Sequence, residues 1–183
     1  MTRYVAFLRA INVGGRAVVK MTDVRDAFAA AGCRNVRTYI QSGNVVFDLP
    51  EAKTASIFQK VRAQLTQLLG HEPGVVVRTL GELEALVKSA PFKKVQGEPR
   101  VKLYVAFLGE KPKGKPHFPI RSVKEALEVF GMRDLDVFVV SRPRPGRFYG
   151  FPNLLIEKEL LVSATTRNWT TVTKVVDFAR KEI

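Results

Sequence analysis

The chain has 183 residues and a formal net charge of +13, from 30 Lys and Arg against 17 Asp and Glu. This length fits one large domain or two small ones. The single cysteine, Cys33, excludes an internal disulfide and favours a reducing cytoplasm. No apolar run reaches the ~18 residues of a membrane helix, and no signal-peptide pattern precedes the first predicted strand, so we expect a cytoplasmic protein with no membrane partner.

The positive charge is spread along the whole chain. Residues 1–95 carry 14 basic and 7 acidic side chains, and residues 96–183 carry 16 and 10. Such a surface favours nucleic acid, anionic membrane or acidic ligands as partners, and it also keeps a protein soluble without any such partner. Charge alone therefore leaves both interpretations open.

A five-residue segment, Tyr-Val-Ala-Phe-Leu, occurs at Tyr4–Leu8 and again at Tyr104–Leu108. Short aromatic and aliphatic segments of this kind are typical of strands in the middle of a sheet. The repetition predicts two related halves, each opening with a central strand. We expect an N-terminal subdomain over residues 1–92 and a C-terminal subdomain over residues 100–183.

The first half is predicted to contain four strands and two helices. In chain order they are strand Tyr4–Leu8, helix Asp23–Ala31, strands Val36–Ile40 and Asn44–Phe47, helix Ala52–Leu69 and strand Val75–Arg78. Thr22 is the predicted N-cap of the first helix, and Gly32 ends that helix. This order is the ferredoxin-like plan, with the first and third strands central in an antiparallel sheet and both helices on one face.

The second half is predicted to repeat this plan. After a short helix, Gly81–Ser89, and a linker, Pro91–Pro99, come strand Val101–Leu108, loop Gly109–Pro119, helix Arg121–Phe130, strands Asp136–Val140 and Arg147–Phe151, and helices Leu154–Leu161 and Thr170–Lys181. The predicted fold class is therefore α+β, with two ferredoxin-like (β-α-β-β-α-β) subdomains, antiparallel sheets and additional C-terminal helices.

Three separated segments carry a family resemblance. They are AINVGG at residues 10–15, TYIQSGNVVF at 38–47 and TTRNWTTVTK at 165–174. Together and in this order they resemble the domain of unknown function 1697 family of small bacterial proteins, over nearly the whole chain. The resemblance implies two ferredoxin-like subdomains, and it implies no activity.

The loop after the first strand is a candidate site for a small anion. Its residues Asn12, Gly14, Gly15 and Lys20 precede a predicted helix. Successive glycines let backbone N–H groups converge, and a helix N-terminus attracts phosphate. The spacing matches neither dinucleotide nor P-loop motifs, and a simple turn of the chain explains the glycines at least as well.

A second candidate ligand site is the polar cluster Thr166, Arg167, Asn168 and Trp169 before the C-terminal helix. A guanidinium beside free helix N–H groups binds phosphate or carboxylate, and an indole stacks on a base or sugar. Alternatively, Asn168 caps the helix, Trp169 fills a groove between the halves and Arg167 pairs with a carboxylate.

The predicted hairpin turn offers Tyr39, Gln41, Ser42 and Asn44. Amide side chains at such a turn bind an amide or a base edge, which makes these residues candidate ligand contacts. Gln and Asn more often satisfy a tight turn through bonds to its backbone.

Nucleic-acid binding is predicted from basic residues in loops of the second half. The candidate contacts are Lys111, Lys113, Lys115, Arg142, Arg144, Arg147 and Tyr149. Tyr149 and Phe151 are predicted to share one sheet face, from which aromatic rings stack on unpaired bases. Burial of these rings inside the protein is the alternative.

No arrangement of residues predicts a catalytic or metal site. Cys33, His71 and His117 are dispersed along the chain, which argues against zinc, and Cys33 follows a helix-ending glycine with no neighbouring histidine. The sequence therefore predicts neither a cofactor nor a catalytic residue.

These observations lead to one leading hypothesis and two alternatives. The first is a polyanion-binding protein whose ligand is nucleic acid, held by the basic loops and the Arg167–Trp169 cluster. The second is an enzyme or sensor that binds a small phosphorylated or carboxylated ligand in a cleft between the subdomains, where the three family-like segments would meet. The third is a scaffold that self-associates through edge strands. The oligomeric state is left open.

Overall fold

A computed structural model of the chain describes residues 1–9, 11, 19–50, 54–95 and 97–182. The structure mixes α and β elements, with two antiparallel sheets and, within these residues, five α-helices. The residues group into two units. The first unit comprises Met1–Glu84 and Lys174–Ile183, and the second comprises Ala85–Thr173. Each unit contains one of the two sheets.

The first unit begins with the predicted order of elements. They are β1 (Thr2–Leu8), α1 (Met21–Ala30), β2 (Arg34–Tyr39), β3 (Asn44–Leu49), α2 (Thr54–Leu69) and β4 (Val75–Thr79), followed by α3 (Leu80–Lys88), whose last residues belong to the second unit. The strands lie in the order β2-β3-β1-β4, and every neighbouring pair is antiparallel. The predicted central position of the first and third strands is confirmed.

The core of the first unit lies between one face of this sheet and the two helices. Val24 and Phe28 of α1 and Val61 and Leu65 of α2 pack against alternate residues of β1 and β3, as the helical spacing of these apolar residues predicts. The Phe28 and Phe47 rings lie 5.2 Å apart. The same helical spacing predicts that Leu68 faces the core, but its side chain is partly exposed.

The start of α1 differs from the prediction. The helix begins at Met21 and its N-cap is Lys20, which makes no side-chain capping bond, so the predicted cap at Thr22 is wrong. The Met21 side chain is buried in the core, and its burial explains the earlier start, because residue 21 must face inward with Val24 and Phe28. The Thr22 hydroxyl donates to Asp23 Oδ1 instead.

The second unit contains a five-stranded sheet. Its elements are β5 (Lys102–Leu108), β6 (Ile120–Ser122), β7 (Leu127–Arg133), β8 (Asp136–Ser141), α4 (Asn153–Leu160) and β9 (Ala164–Asn168), with a short 3₁₀ helix, Pro145–Arg147, after β8. The strand order is β6-β7-β8-β5-β9. The last helix, α5 (Trp169–Arg180), begins in this unit and ends in the first.

The helix predicted over Arg121–Phe130 is wrong, because these residues form β6, a turn and the start of β7. The helical spacing of Val123, Leu127 and Phe130 predicts that Val123 faces inward, but Val123 is 95% exposed in the turn. Ala126 has a positive φ of 50°, which no α-helix contains. Leu127 and Val129 alternate into the core of the second unit, so the period is that of a strand.

The strand predicted over Arg147–Phe151 is also wrong. Arg147 ends the 3₁₀ helix, and the segment after it makes a single bridge, between Pro143 and Tyr149. Conversely, β9 was predicted only as a polar segment before the last helix. It pairs with β5 so that Arg167 lies opposite Val105, just as Arg78 lies opposite Val5 in the first sheet.

Candidate nucleic-acid interface

The loop that follows β5, residues 109–119, holds three of the predicted cationic contacts. Lys111, Lys113 and Lys115 are all exposed. The loop backbone is attached to the unit, because Lys113 N donates to Leu160 O at 3.2 Å and the Phe118 side chain packs against the core. Within the described part of the chain, no ion pair joins any of these three lysines to a carboxylate. Their charges are therefore available to an anionic ligand.

The basic residues after β8 are in a different electrostatic state. Arg142 donates from Nε and Nη2 to the two carboxylate oxygens of Glu98, at 3.0 and 3.1 Å, and from Nη1 to Glu128 at 3.2 Å. Arg144 forms an ion pair of 3.0 Å with Glu125. Both guanidinium charges are thus largely neutralised by neighbouring carboxylates. Arg147 lies in the 3₁₀ helix, and its side chain is outside the described structure.

These two basic groups lie at opposite ends of β5. The antiparallel register places Lys102, at the start of β5, opposite Ser141, at the end of β8, so Arg142 and Arg144 follow at that end. The lysine loop, residues 109–119, begins at the other end of β5, after Leu108. Seven residues of extended chain separate the two ends, about 20 Å. The structure therefore does not bring the predicted cationic set into one cluster.

Aromatic residues accompany the basic residues at the start of β5. The Tyr149 hydroxyl donates to Arg100 O at 2.9 Å, and the Lys102 ammonium lies 4.2 Å from the centre of the Tyr149 ring. This geometry is that of a cation–π contact. Lys102 was not among the predicted contacts. Lys102 lies two residues before the repeated segment, on the same strand. Because β5 pairs with β8, this position brings Lys102 opposite Ser141, at the end of β8.

Arg167 is the fourth of the five residues of β9, an edge strand of the sheet, and does not lie in a loop. Its guanidinium Nη1 donates to Thr166 O at 2.9 Å. Burial lowers the pKa of Arg167 to about 10, which still leaves the side chain charged at neutral pH. The neighbouring Thr166 is buried opposite Ala106, on the face of the sheet that carries the core of the second unit.

Asn168 has the capping role that the alternative interpretation assigned to it, whereas Trp169 packs against a phenylalanine of its own unit. Asn168 Oδ1 accepts a hydrogen bond of 2.9 Å from Thr170 N, so Asn168 caps α5. The Trp169 ring is half-buried and lies 5.1 Å from the Phe92 ring. The indole is therefore occupied in packing on at least one side.

The hairpin turn of the first unit is satisfied by its own side chains. Asn44 is fully buried, and its Nδ2 donates to Tyr39 O at 3.1 Å and to Ser42 Oγ at 3.0 Å. The Tyr39 ring lies 5.3 Å from Phe178 of α5. Gln41 is exposed. The expectation that these amides stabilise the turn is confirmed for Asn44.

The glycine loop contributes little to a described site. Asn12, Gly14 and Gly15 lie outside the described residues. Lys20 is exposed, and its carbonyl accepts the Asp23 N–H at 3.0 Å at the start of α1. The turn at Gly43 packs against Leu8 and Ile11, which brings parts of two family-like segments together.

Metal-binding and membrane-spanning features are both missing from the described residues. These residues contain no group of three or more His, Cys, Asp and Glu side chains that could hold a metal ion. None of the helices they form is long and apolar enough to cross a membrane. Cys33 is buried, and burial raises the pKa of its thiol to about 12.

Comparisons with known proteins give a family and a fold. The sequence model of the family described as "Protein of unknown function (DUF1697)" matches residues 1–138. A solved structure of the conserved bacterial protein SP0830 from Streptococcus pneumoniae is similar, with a TM-score of 0.64 and 18% identity, covering 98% of this chain and 99% of that one. At this identity the likeness shows the fold alone. No curated protein matches the chain.

Proposed function

We propose that this chain, which belongs to the family described as "Protein of unknown function (DUF1697)", binds nucleic acid through the phosphate backbone. The binding surface is on the second unit, which carries 16 Lys and Arg against 8 Asp and Glu. Cationic side chains attract a polyanion, and release of its counterions drives binding. The excess charge in this unit is therefore the electrostatic basis of the proposal.

The observation that carries the proposal is the lysine loop, residues 109–119. Its three lysines are exposed, alternate along the loop and form no ion pair within the described residues, whereas Arg121, Arg142 and Arg144 have carboxylate neighbours. Prolines at 112, 116 and 119 restrict the backbone, which lowers the entropy cost of holding the lysines against phosphates.

The proposal extends to how the two halves are related. We propose that both units are versions of one ferredoxin-like plan, in which the order β2-β3-β1-β4 corresponds to β7-β8-β5-β9. The equal registers of Val5 with Arg78 and of Val105 with Arg167 support this correspondence. In the second unit the lysine loop and β6 take the place of the helix between the first two strands of the plan. The cationic loop thus occupies the position that a helix holds in the first unit.

The test is fluorescence anisotropy of a labelled single strand and a labelled duplex at two salt concentrations. The variant carries Lys111→Ala, Lys113→Ala and Lys115→Ala together. We expect weaker binding of both oligonucleotides and a log–log salt slope that is reduced by about 2 for the single strand, since each lysine neutralises about one phosphate.

The matched control removes three exposed lysines elsewhere in the second unit, Lys88, Lys93 and Lys94. It changes the net charge equally, and we expect it to leave the salt slope close to that of the unmodified chain. Equal losses in both triple variants would show diffuse attraction in place of a defined interface. No binding of either oligonucleotide by the unmodified chain would overturn the proposed function.

A further inference from the structure

We propose that the second unit carries a stacking site for unpaired bases, formed by Phe148 and Phe151 beside the Lys102–Tyr149 pair. This inference rests on the proposed nucleic-acid function and names its ligand class as single-stranded. It assigns a role to Phe148 and Lys102, neither of which was among the predicted contacts, and it keeps the stacking role predicted for Phe151.

The two phenylalanines are unusually accessible for residues of their type. Phe148 is 68% exposed and Phe151 is 58% exposed, and they stand three residues apart on one short segment. Exposed aromatic rings lose the free energy that burial would provide, and groups of them on a protein surface mark interaction sites. The segment therefore presents two rings to a ligand.

Hydrogen bonds and a β-bridge fix the backbone of this segment at residues 148, 149 and 150. Arg144 N donates to Phe148 O at 2.8 Å, Tyr149 bridges to Pro143, and Ser141 Oγ donates to Gly150 O at 3.0 Å. Gly150 is buried so closely that a Cβ there would collide with Glu125 O. A fixed backbone lowers the entropy cost of binding, which is an advantage for a recognition site.

The Phe148 ring itself is supported on one side. Gly146 has a positive φ of 80°, and a Cβ at that position would lie 2.9 Å from Phe148 Cε2 and 3.0 Å from Cδ2, so one edge of the ring lies close to the glycine. Most of the rest of the ring is exposed to solvent. A ring that is held at one edge and largely exposed is available to stack on a base.

Phe151 and Tyr149 have different roles in this arrangement. The Phe151 ring meets the buried Tyr104 ring edge to face, with centroids 5.8 Å apart and an interplanar angle of 81°. Tyr149 is covered by the Lys102 ammonium and bonded to Arg100 O, so its ring is engaged within the protein. Tyr149 therefore holds the Lys102 ammonium one residue along the chain from Phe148, instead of stacking on a base.

The chemistry of the surface selects the ligand class. Exposed apolar rings on a unit with an excess of Lys and Arg match a strand whose bases are unpaired and whose backbone is anionic, whereas the bases of a duplex are stacked on each other and inaccessible. About 20 Å separates this end of β5 from the lysine loop, roughly six nucleotide steps of ~3.4 Å. One single strand of that length reaches both groups.

The test compares Phe148→Ala and Phe151→Ala with Leu154→Ala, which removes a residue that is 83% exposed in the same stretch but is not aromatic. Each phenylalanine variant is expected to bind the labelled single strand about tenfold more weakly, with an unchanged salt slope and unchanged duplex affinity. Leu154→Ala is expected to bind both as the unmodified chain does, and Phe148→Trp is expected to restore single-strand affinity.

Two results overturn the inference while leaving the proposed function standing. One is single-strand affinity that is unaffected by both phenylalanine substitutions. The other is a loss that is equal for duplex and single strand, or equal in Leu154→Ala, which would indicate a general apolar contact such as a protein interface. If the unmodified chain binds neither oligonucleotide, the proposed function itself fails, and the two failures are thereby distinguished.

Discussion

The Asp48 carboxylate of β3 is held by the Arg3 guanidinium of β1, with Arg3 Nε 2.8 Å from Oδ1 and Nη2 3.1 Å from Oδ2. Asn35 Nδ2 donates a further bond of 2.8 Å to Oδ2. Arg3 also donates to Ala179 O, near the end of α5. One ion pair thus joins two central strands and the C-terminal helix within the first unit.

This arrangement predicts a specific contribution to acid stability. Burial alone raises the pKa of Asp48, but the hydrogen bonds from Arg3 and Asn35 and the charges of Arg3 and Arg37 outweigh it, so the pKa lies below its ordinary value. The stabilisation is present above the unfolded-state pKa of about 4 and is lost as pH falls through the lower folded-state value. Asp48→Asn should therefore lower the free energy of unfolding at pH 7 by about 2 kcal/mol and flatten its dependence on pH in acid.

Urea unfolding at a series of pH values measures this effect. Asp26→Asn is the control, because Asp26 pairs with Arg25 on the exposed surface of α1 and should contribute little. Equal effects of the two substitutions would contradict the role assigned to Asp48.

The turn at Gly43 predicts a substitution with a large cost. Gly43 has a φ of +76°, and a Cβ there would lie 2.8 Å from Leu8 Cβ and 3.2 Å from Ile11 Cβ. Its carbonyl also accepts the Leu8 N–H at 2.7 Å. Gly43→Ala should therefore destabilise the protein by about 3 kcal/mol, from backbone strain and overpacking together.

The control for this prediction is Gly81, at which substitution by alanine is expected to stabilise the protein. Gly81 lies in α3, has no positive φ, and a Cβ added there would meet no atom within 4 Å. Gly81→Ala should stabilise the protein by about 0.5–1 kcal/mol. Thermal unfolding of both variants checks the pair, and a neutral Gly43→Ala would mean that the turn relaxes without cost.

The first unit was largely predictable because its patterns are unambiguous. In α2, Ile57, Val61 and Leu65 recur at helical spacing within a sixteen-residue helix, and the strands on either side are short and apolar. Segments this long and periodic have few alternative structures. The element order followed from them, and the predicted ends of the elements differ from the observed ones by a residue or two, as at Met21.

In the second unit the same reasoning predicted a helix where the chain forms strands, and the cause is physical. In residues 121–130, Val123, Leu127 and Phe130 fit a helix, while Leu127 and Val129 fit a strand. Pairing of β7 with β8 decides between them, and that pairing depends on tertiary contacts that local spacing does not encode. The left-handed conformation of Ala126 has no signature in an alanine.

The candidate interface was predictable by residue type but not by electrostatic state. Arg142 and Lys113 contribute the same charge to the sequence, yet Glu98, 44 residues away, pairs with Arg142 only because the fold places it there. The exposure of Phe148 was likewise not predictable, because the sequence predicts a strand over residues 147–151, whereas the chain forms a 3₁₀ helix and a single bridge there.

The role of Asn168 leads to a prediction that separates capping from ligand binding. Its Oδ1 accepts the Thr170 N–H, so Asn168→Ala should lower the free energy of unfolding by about 1 kcal/mol. Asn168→Asp keeps the acceptor and adds a charge that suits the helix N-terminus, and it should restore stability. Chemical denaturation measures both, and oligonucleotide affinity should be unchanged. A stable Asn168→Ala variant with impaired binding would support the ligand role instead.

Cys33 is predicted to be chemically inert in the folded protein. It is buried, and burial raises the pKa of its thiol to about 12, so the reactive thiolate is scarce near pH 8. A thiol-specific chromogenic reagent should label Cys33 slowly in buffer and rapidly in denaturant. Fast labelling of the native protein would contradict this prediction. It would show that the structure opens locally beside the end of α1, and the labelling rate would measure that opening.

Arg142 provides the strictest comparison with the lysine loop. Because Glu98 and Glu128 already occupy its guanidinium, Arg142→Ala should lower stability by about 1 kcal/mol, since the pair is partly exposed, and should leave the salt slope of oligonucleotide binding unchanged. Lys113→Ala should do the reverse, with unchanged stability and a slope reduced by about 0.7 on a single strand. Glu98→Gln tests the same reasoning from the other side, because it removes one of the two carboxylate charges beside the Arg142 guanidinium and should tighten binding if a phosphate lies within reach. A slope lowered equally by Arg142→Ala and Lys113→Ala would show that nucleic acid displaces Glu98 from Arg142 and that both ends of β5 contact the backbone through charge.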